Sequence, residues 1–215
     1  NPDRTLVNGL LAVFPELAAL PRAGLIHRID KDTSGLLVVG RDSANYQAMV
    51  RALSRREISR LYDAIVNGVL LAGGTIDAAI TRDPRQRTRM RVADSGRSAV
   101  THFRVKKRFR AHTLIEVQLE TGRTHQIRVH LASRGHPITG DPKYGGRRRL
   151  PPSPSAGLVT SISSFSRQAL HARRLEFVHP VSYEKMSFEA PLPDDMSALI
   201  AALERDLTEH ANKPS

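Results

Sequence analysis

The 215-residue sequence contains no cysteine and no tryptophan, and aromatic residues make up only 5% of it. Without cysteine there is no disulfide framework, no thiolate metal site and no thiol redox chemistry, which suits a cytoplasmic setting. The shortage of aromatics excludes a broad stacking platform for single strands, which needs one ring for nearly every base bound. Nowhere does an apolar run approach the roughly 18 residues that span a bilayer, and no signal peptide is visible. Acidic residues are also scarce. There are 21 Asp and Glu against 33 Lys and Arg, for a formal net charge of +12.

With 40% hydrophobic residues the chain can still build a core, so it is not a disordered basic tail. Its positive charge is concentrated. From Arg82 to Arg110 there are eleven basic residues, opposed only by Asp83 and Asp94, and Arg147, Arg148 and Arg149 form a second cluster. Arg outnumbers Lys here, and its planar fork matches phosphates and base edges. Such a surface fits a polyanionic partner whose counterions are released on binding. A basic but otherwise ordinary soluble protein has the same charge count, so charge alone does not decide.

Several elements can be read from the pattern. Residues 25–40 read as a strand, a polar loop and a second strand built on Leu36-Leu37-Val38-Val39. A helix follows that Asp42 or Ser43 can cap, with Tyr46, Met49, Val50 and Leu53 at the spacing of one helix face. Strands are expected at 58–66, 74–80, 98–105, 112–119, 174–179 and 185–190, with Asn67-Gly68 as a turn. A short helix to about Ser133 has Thr124 as a possible cap. Residues 135–165, rich in Gly, Pro and Ser, read as long loops. A final helix opens at Pro193-Asp194 with the stripe Met196, Leu199, Ile200, Leu203 and Leu207. Strand runs with interspersed helices, lacking regular βα alternation, predict an α+β fold with a mixed, mostly antiparallel sheet.

Two polar segments stand out. The first, His27-Arg28-Ile29-Asp30-Lys31-Asp32-Thr33-Ser34-Gly35, lies between apolar runs, where a rigid scaffold can present a reactive side chain. By itself it also reads as a polar turn with Asp and Ser satisfying backbone donors. Asp30 and Asp32 suggest a carboxylate pair, yet spacing alone does not support one. The second segment is Glu120-Thr121-Gly122-Arg123-Thr124-His125-Gln126-Ile127-Arg128-Val129-His130. His125 and His130 are five apart and share no helix face, which weighs against a metal pair. No other metal-ligand spacing is present, nor a Walker loop or a dinucleotide turn. Arg123, just before a helix start, can reach a carboxylate or phosphate, or it is a plain surface arginine.

Together the motifs are more specific. Residues 27–35 closely resemble the H-R-L-D-x-x-T-S-G signature of the RluA/RluD family of pseudouridine synthases, with Ile29 where Leu is usual. Ile58-Ser-Arg-Leu-Tyr62-Asp-Ala64 resembles the family's tyrosine-bearing strand, and Leu119 to His130 its third motif. His136-Pro-Ile-Thr-Gly-Asp-Pro-Lys-Tyr-Gly145 and Gln168-Ala-Leu-His171-Ala resemble its later segments, in order, over roughly residues 20–205. The resemblance implies a pseudouridine synthase catalytic fold with a central cleft. It implies that residues 1–215 are the catalytic domain, lacking its first strand and an N-terminal S4-like RNA-binding domain.

The site residues follow from the same resemblance. Asp30 is the essential carboxylate, Arg123 its ion-pair partner, and Tyr62 stacks on the flipped uracil and helps remove the C5 proton. Arg28 enters the RNA stack vacated by the uridine, His27 lies on the substrate side, and Leu170 belongs to the apolar wall. The implied partner is a large-subunit (23S) ribosomal RNA stem-loop, met within a pre-ribosomal particle by a monomeric cytoplasmic protein. The reaction breaks N1–C1′, turns the base and joins C5 to C1′. It has no redox step, so it calls for no cofactor and no metal. Asp30 can act as nucleophile or as base, and both roles stay open. Two other functions fit parts of the sequence. A non-catalytic RNA-binding module explains the basic run but leaves the Asp30 loop without purpose. A two-carboxylate glycoside hydrolase would need an acidic, aromatic-lined cleft.

Overall fold

A computed structural model describes residues 5–212. Along the chain lie α1 (Leu6–Val13), β1 (Ser34–Gly35), α2 (Ser43–Ser54), β2 (Ser59–Asn67), β3 (Gly74–Asp77), β4 (Ile80–Arg82) and β5 (Met90–Val92). There follow β6 (Val100–Arg108), β7 (His112–Leu119), α3 (Gln126–Ser133), α4 (Ala156–Ser164), β8 (Leu170–Val178), β9 (Lys185–Glu189) and α5 (Asp194–Ala211). The main sheet runs β1-β8-β2-β7-β6-β3, with β9 also paired to β8, and β4-β5 form a separate two-stranded arm. Its pairings are antiparallel except the short parallel match of β1 with β8. The expected α+β architecture with a mostly antiparallel sheet is therefore observed.

β2 occupies the middle of the sheet, hydrogen-bonded to β7 on one side and β8 on the other. That position explains its near-continuous apolar run, since Ala64, Ile65 and Val66 are all fully buried. The core against them collects Ile115, Leu131, Ile138, Met196, Leu199 and Leu203. The last three are the fully buried members of the predicted α5 stripe, with Ile200 and Leu207 partly buried, each buried side chain contributing about 1.5–3 kcal/mol. α2 is capped by Asp42, whose carboxylate accepts from the Asn45 amide at 2.8 Å.

Four expectations differ from the structure, the first being the 74–80 strand, which is split into β3 of the main sheet and β4 of the arm. Residues 25–40 do not form two strands. Leu25 and Val39 make a single bridge, and the apolar side chains Leu36 and Val38 pack into a small cluster with Ile26, Met49 and Leu175 instead of along a ladder. Within 135–165, α4 forms where loops were expected. Ser155 caps it, and burial of Leu158 and Ile162 beside α5 overrides the weak helix propensity of its serines. Thr124 is not the cap of α3. His125 takes that place in a left-handed conformation, φ 56°.

Gly35 fixes the chain where β1 meets β8. Its φ is +107°, and a Cβ there would sit 2.1 Å from the Ala172 carbonyl oxygen. Gly35→Ala should cost about 2–3 kcal/mol or more in urea unfolding, through strain and forced separation of β1 from β8. A variant with the wild-type midpoint would contradict this.

His112, at the start of β7, is fully buried, with neither ring nitrogen partnered among the described residues. Burial, followed by the Arg149 charge, pushes it down to about 4 against the opposing pull of Asp206. A histidine lowered by folding binds its proton more readily in the unfolded chain. Its contribution is therefore full above pH ~6.5 and is lost as pH falls toward 4. His27, also pushed to about 4, acts in the same sense. Urea midpoints should fall between pH 7 and pH 5, and His112→Leu should flatten that slope. An unchanged slope would show that His112 does not titrate on unfolding.

Candidate active site

The Asp30 loop is rigid because side chains arriving from before β8 tie it down. The Gln168 amide donates to the Lys31 carbonyl at 2.7 Å and to Thr33 Oγ1 at 3.0 Å, and Arg167 donates to the Asp32 carbonyl at 3.1 Å. Ser34 Oγ meets His171 Nδ1 at 2.9 Å. Thr33, Ser34 and Gly35 thus dock the loop on β8. They leave Asp30 partly exposed on the wall of a cleft of about 410 Å³ that Arg28, Tyr62, Arg123 and Leu170 also line.

The cation that meets Asp30 is Arg128. Its Nη1 donates to Asp30 Oδ2 at 3.2 Å, while Nε and Nη2 grip Asp141 at 2.7 and 2.8 Å. The expected Arg123–Asp30 pair is not formed. With His125 in the left-handed region, α3 starts only at Gln126, so Arg128 in its first turns faces inward. Arg123 stays out on the loop, its Nε donating to the Ser98 carbonyl at 3.1 Å and its amide to Gln126 Oε1 at 2.9 Å. Burial works against the Arg128 charge, but the hydrogen bonds and charge of Asp141, with Asp30 behind them, outweigh it and raise its pKa. Burial likewise opposes the Asp141 charge, yet Arg128 and the amides of Tyr144 and Lys143 hold that carboxyl below its usual range.

Beyond Asp141 the network continues through two residues to which sequence reasoning gave no role. The Tyr144 hydroxyl accepts from the Met90 amide at 2.8 Å and lies 2.8 Å from His125 Nδ1. This contact ties the His125 ring to the Tyr144 hydroxyl, whichever of the two supplies the proton. His125 lines the cleft close enough to Asp30 to feel its charge; burial nevertheless pulls its pKa down. Arg128 and Arg89 both stack on the Tyr144 ring, at 5.1 and 5.0 Å. The segment His136 to Gly145 had matched the family pattern without a role. Asp141 and Tyr144 explain the match.

Tyr62 is buried, and that burial pushes its phenol up to about 12, with the Asp30 charge adding to the rise and Arg60 opposing it. It is therefore a neutral ring, suited to stacking, and can take a proton only by passing its own on. Leu170 is buried as apolar wall, and Arg28 projects exposed at the rim. His27 is buried, with Nε2 accepting from the Val38 amide at 3.3 Å, so it braces the loop's backbone.

The basic run from Arg82 to Arg110 proves to be two different things. On β6 and after it, Arg104, Lys106, Lys107 and Arg110 are ion-paired to Glu116, Asp63, Glu204 and Asp206. Arg108 donates to the Leu70 and Leu71 carbonyls. These cations are spent on the fold. Among the described residues, the run's exposed arginines without an ion pair are Arg82, Arg85, Arg87 and Arg91 of the β4-β5 arm and Arg97 just after it. The arm is anchored at the site, by Met90 to Tyr144 and by Lys143 Nζ to the Thr88 carbonyl at 3.2 Å.

Residues 12–133 match the family described as RNA pseudouridylate synthase, and the chain belongs to that family. Among curated relatives it is 55% identical over 206 residues to "Ribosomal large subunit pseudouridine synthase D" of Xanthomonas campestris, covering 96% of this chain and 62% of that protein. The protein of the same name from Escherichia coli is 48% identical over 213 residues, covering 99% and 65%. The chain thus spans less than two thirds of the length of these relatives. A solved structure, "Human RNA Pseudouridylate Synthase Domain Containing 4", superposes with a TM-score of 0.72 at 25% identity, covering 94% of this chain and 85% of that one.

Proposed function

We propose that this chain isomerises uridine to pseudouridine in large-subunit ribosomal RNA, with Asp30 as the carboxylate that attacks or deprotonates the flipped nucleotide. The observation that carries this is the Asp30–Arg128–Asp141 arrangement on the wall of a cleft. An ionisable oxygen is fixed there beside a guanidinium that Asp141 already holds in place. A preorganised cation next to a reactive carboxylate orients its oxygens and stabilises charge that develops at the site during reaction.

Tyr62 supplies the ring on which an extruded uracil stacks, and Leu170 closes the apolar side. Flipping costs a few kcal/mol of stacking and pairing, which Arg28 at the rim offsets by filling the vacated place. Arg123, in this reading, serves the RNA at the cleft edge and not Asp30. The arginines of the β4-β5 arm contact phosphates on the flank of the site. The names of the relatives support a ribosomal substrate. The protein acts as a cytoplasmic monomer on a stem-loop within a pre-ribosomal particle. Mapping pseudouridines in ribosomal RNA from cells with and without the gene tests the assignment. Loss of one or more large-subunit sites is expected, and an unchanged map would refute the substrate.

A further inference from the structure

Arg60 is the buried cation of the cleft that nothing opposes. It lies two residues before Tyr62 on β2, lines the cleft, and is only 5% exposed. Among the described residues no carboxylate is within ion-pair distance of it, and its Nε has no hydrogen-bond partner. The other acids of the cleft are committed elsewhere: Asp30 to Arg128, and Glu120 to Arg56 and His102. The side chain is not there to satisfy the fold. Burying a guanidinium without an anionic partner is costly, and a ligand that brings the anion into the cleft removes that cost.

The local structure keeps this cation in place and adds to it. The Arg60 Nη1 lies against Gly122, where a Cβ would come within 2.9 Å of it, so the guanidinium end sits beside the loop that follows Thr121. Arg22 lines the same cleft. Its backbone and that of Ala23 are held in the left-handed region, φ 55° and 50°, a strained pair that turns Arg22 out to the rim while Ala23 is buried. His27, which also lines the cleft, feels both charges.

We propose that Arg60, with Arg22 at the rim, forms a subsite for one of the two backbone phosphodiesters flanking the flipped uridine. Phosphates carry the formal negative charge of RNA, and an arginine fork meets two phosphate oxygens at once. A neutral uracil carbonyl would leave the buried charge uncompensated. Arg60 and Tyr62 are ~7 Å apart along the strand, a step that suits a base stacked on the ring with its own backbone at the guanidinium. The subsite rests on the RNA substrate proposed above. Its role is to hold the extruded nucleotide by the backbone, so that binding of a phosphate compensates part of the flipping cost.

The test uses the full chain and a large-subunit stem-loop with one reactive uridine. A neutral methylphosphonate is placed at each flanking position in turn, and kcat/KM is read by tritium release from C5. One of the two replacements should cost the wild type about 10–100-fold, and Arg60→Met should lose a similar factor on all-phosphate RNA. Combining the two should cost no more than either alone. Arg60→Met should also melt at or above the wild-type temperature, because an unpaired buried charge has been removed. A structural arginine would give the opposite shift. Arg60→Lys, which keeps the charge, should stay sensitive to the same methylphosphonate and gives the comparison if the Met variant does not fold. Equal methylphosphonate penalties in wild type and variant, or none at either position in the wild type, overturn the subsite alone. No turnover by the wild type on all-phosphate RNA overturns the parent function instead.

Discussion

Replacing Arg128 by leucine should abolish turnover and also destabilise the chain by about 3–5 kcal/mol. Two consequences coincide in that one residue. The Asp141 side chain is fully buried and its carboxylate accepts from Arg128 twice, at 2.7 and 2.8 Å, so removing the guanidinium leaves a buried charge with only the Lys143 and Tyr144 amides for support. Asp30 at the same time loses its 3.2 Å cation and the donor that orients its oxygen. Lysine keeps the charge but cannot span both carboxylates as a planar fork does, so Arg128→Lys should be more stable than the leucine variant and still catalytically poor. The double variant Arg128→Leu with Asp141→Asn should recover part of the stability and none of the activity. Melting temperatures and tritium release on the four proteins check this. A stable, active Arg128→Leu chain would show that the ion triad is incidental.

The second large effect belongs to Asp30 itself. Asp30→Asn should lower turnover by about 10⁴-fold or more while binding and melting stay close to wild type. The amide has nearly the same shape, and its oxygen can still accept from Arg128, which Asp141 goes on holding. In the proposed reading, affinity for RNA comes mainly from phosphate contacts on the arm and rim, which the change does not touch. A nucleophile and a base both need the anionic oxygen, so the expected loss does not depend on which role Asp30 plays. Filter binding with a stem-loop, beside tritium release, separates the two effects. A variant that binds poorly but turns over normally once bound would place Asp30 in recognition instead of chemistry.

How far the sequence carried can be judged from single residues. α2 and α5 were legible from a helical spacing of apolar residues, though Val50 on the expected α2 face is exposed, and β2 and β7 from nearly unbroken apolar runs that both faces of the sheet bury. α4 was not, since its sequence favours loops and it is a helix only because Leu158 and Ile162 find α5. The Asp30 loop was legible as a motif, but nothing in its spacing distinguished Asp30 from Asp32. In the structure Asp32 has φ +68° and gives its carbonyl to Arg167, while Asp30 faces the cleft. The partner of Asp30 was misread because two arginines, Arg123 and Arg128, share one motif. Choosing between them depended on where α3 begins, and the left-handed turn at His125 that decides it leaves no mark on composition. The basic run misled in the other direction, because charge counts do not show which cations already have carboxylates opposite them across a sheet. Arg60 shows the same limit from the other side. One arginine in a strand is unremarkable until its burial and its missing partner are seen together.

The most direct test of the central claim is to identify the nucleoside that the reaction leaves in the RNA. A uridine-containing large-subunit stem-loop is incubated with excess wild-type chain or with Asp30→Asn, digested, and its nucleosides separated. The expected result is pseudouridine at the target position after the wild type and only uridine after the variant. Equal pseudouridine from both proteins, or none from a folded, RNA-bound wild type, would contradict the account.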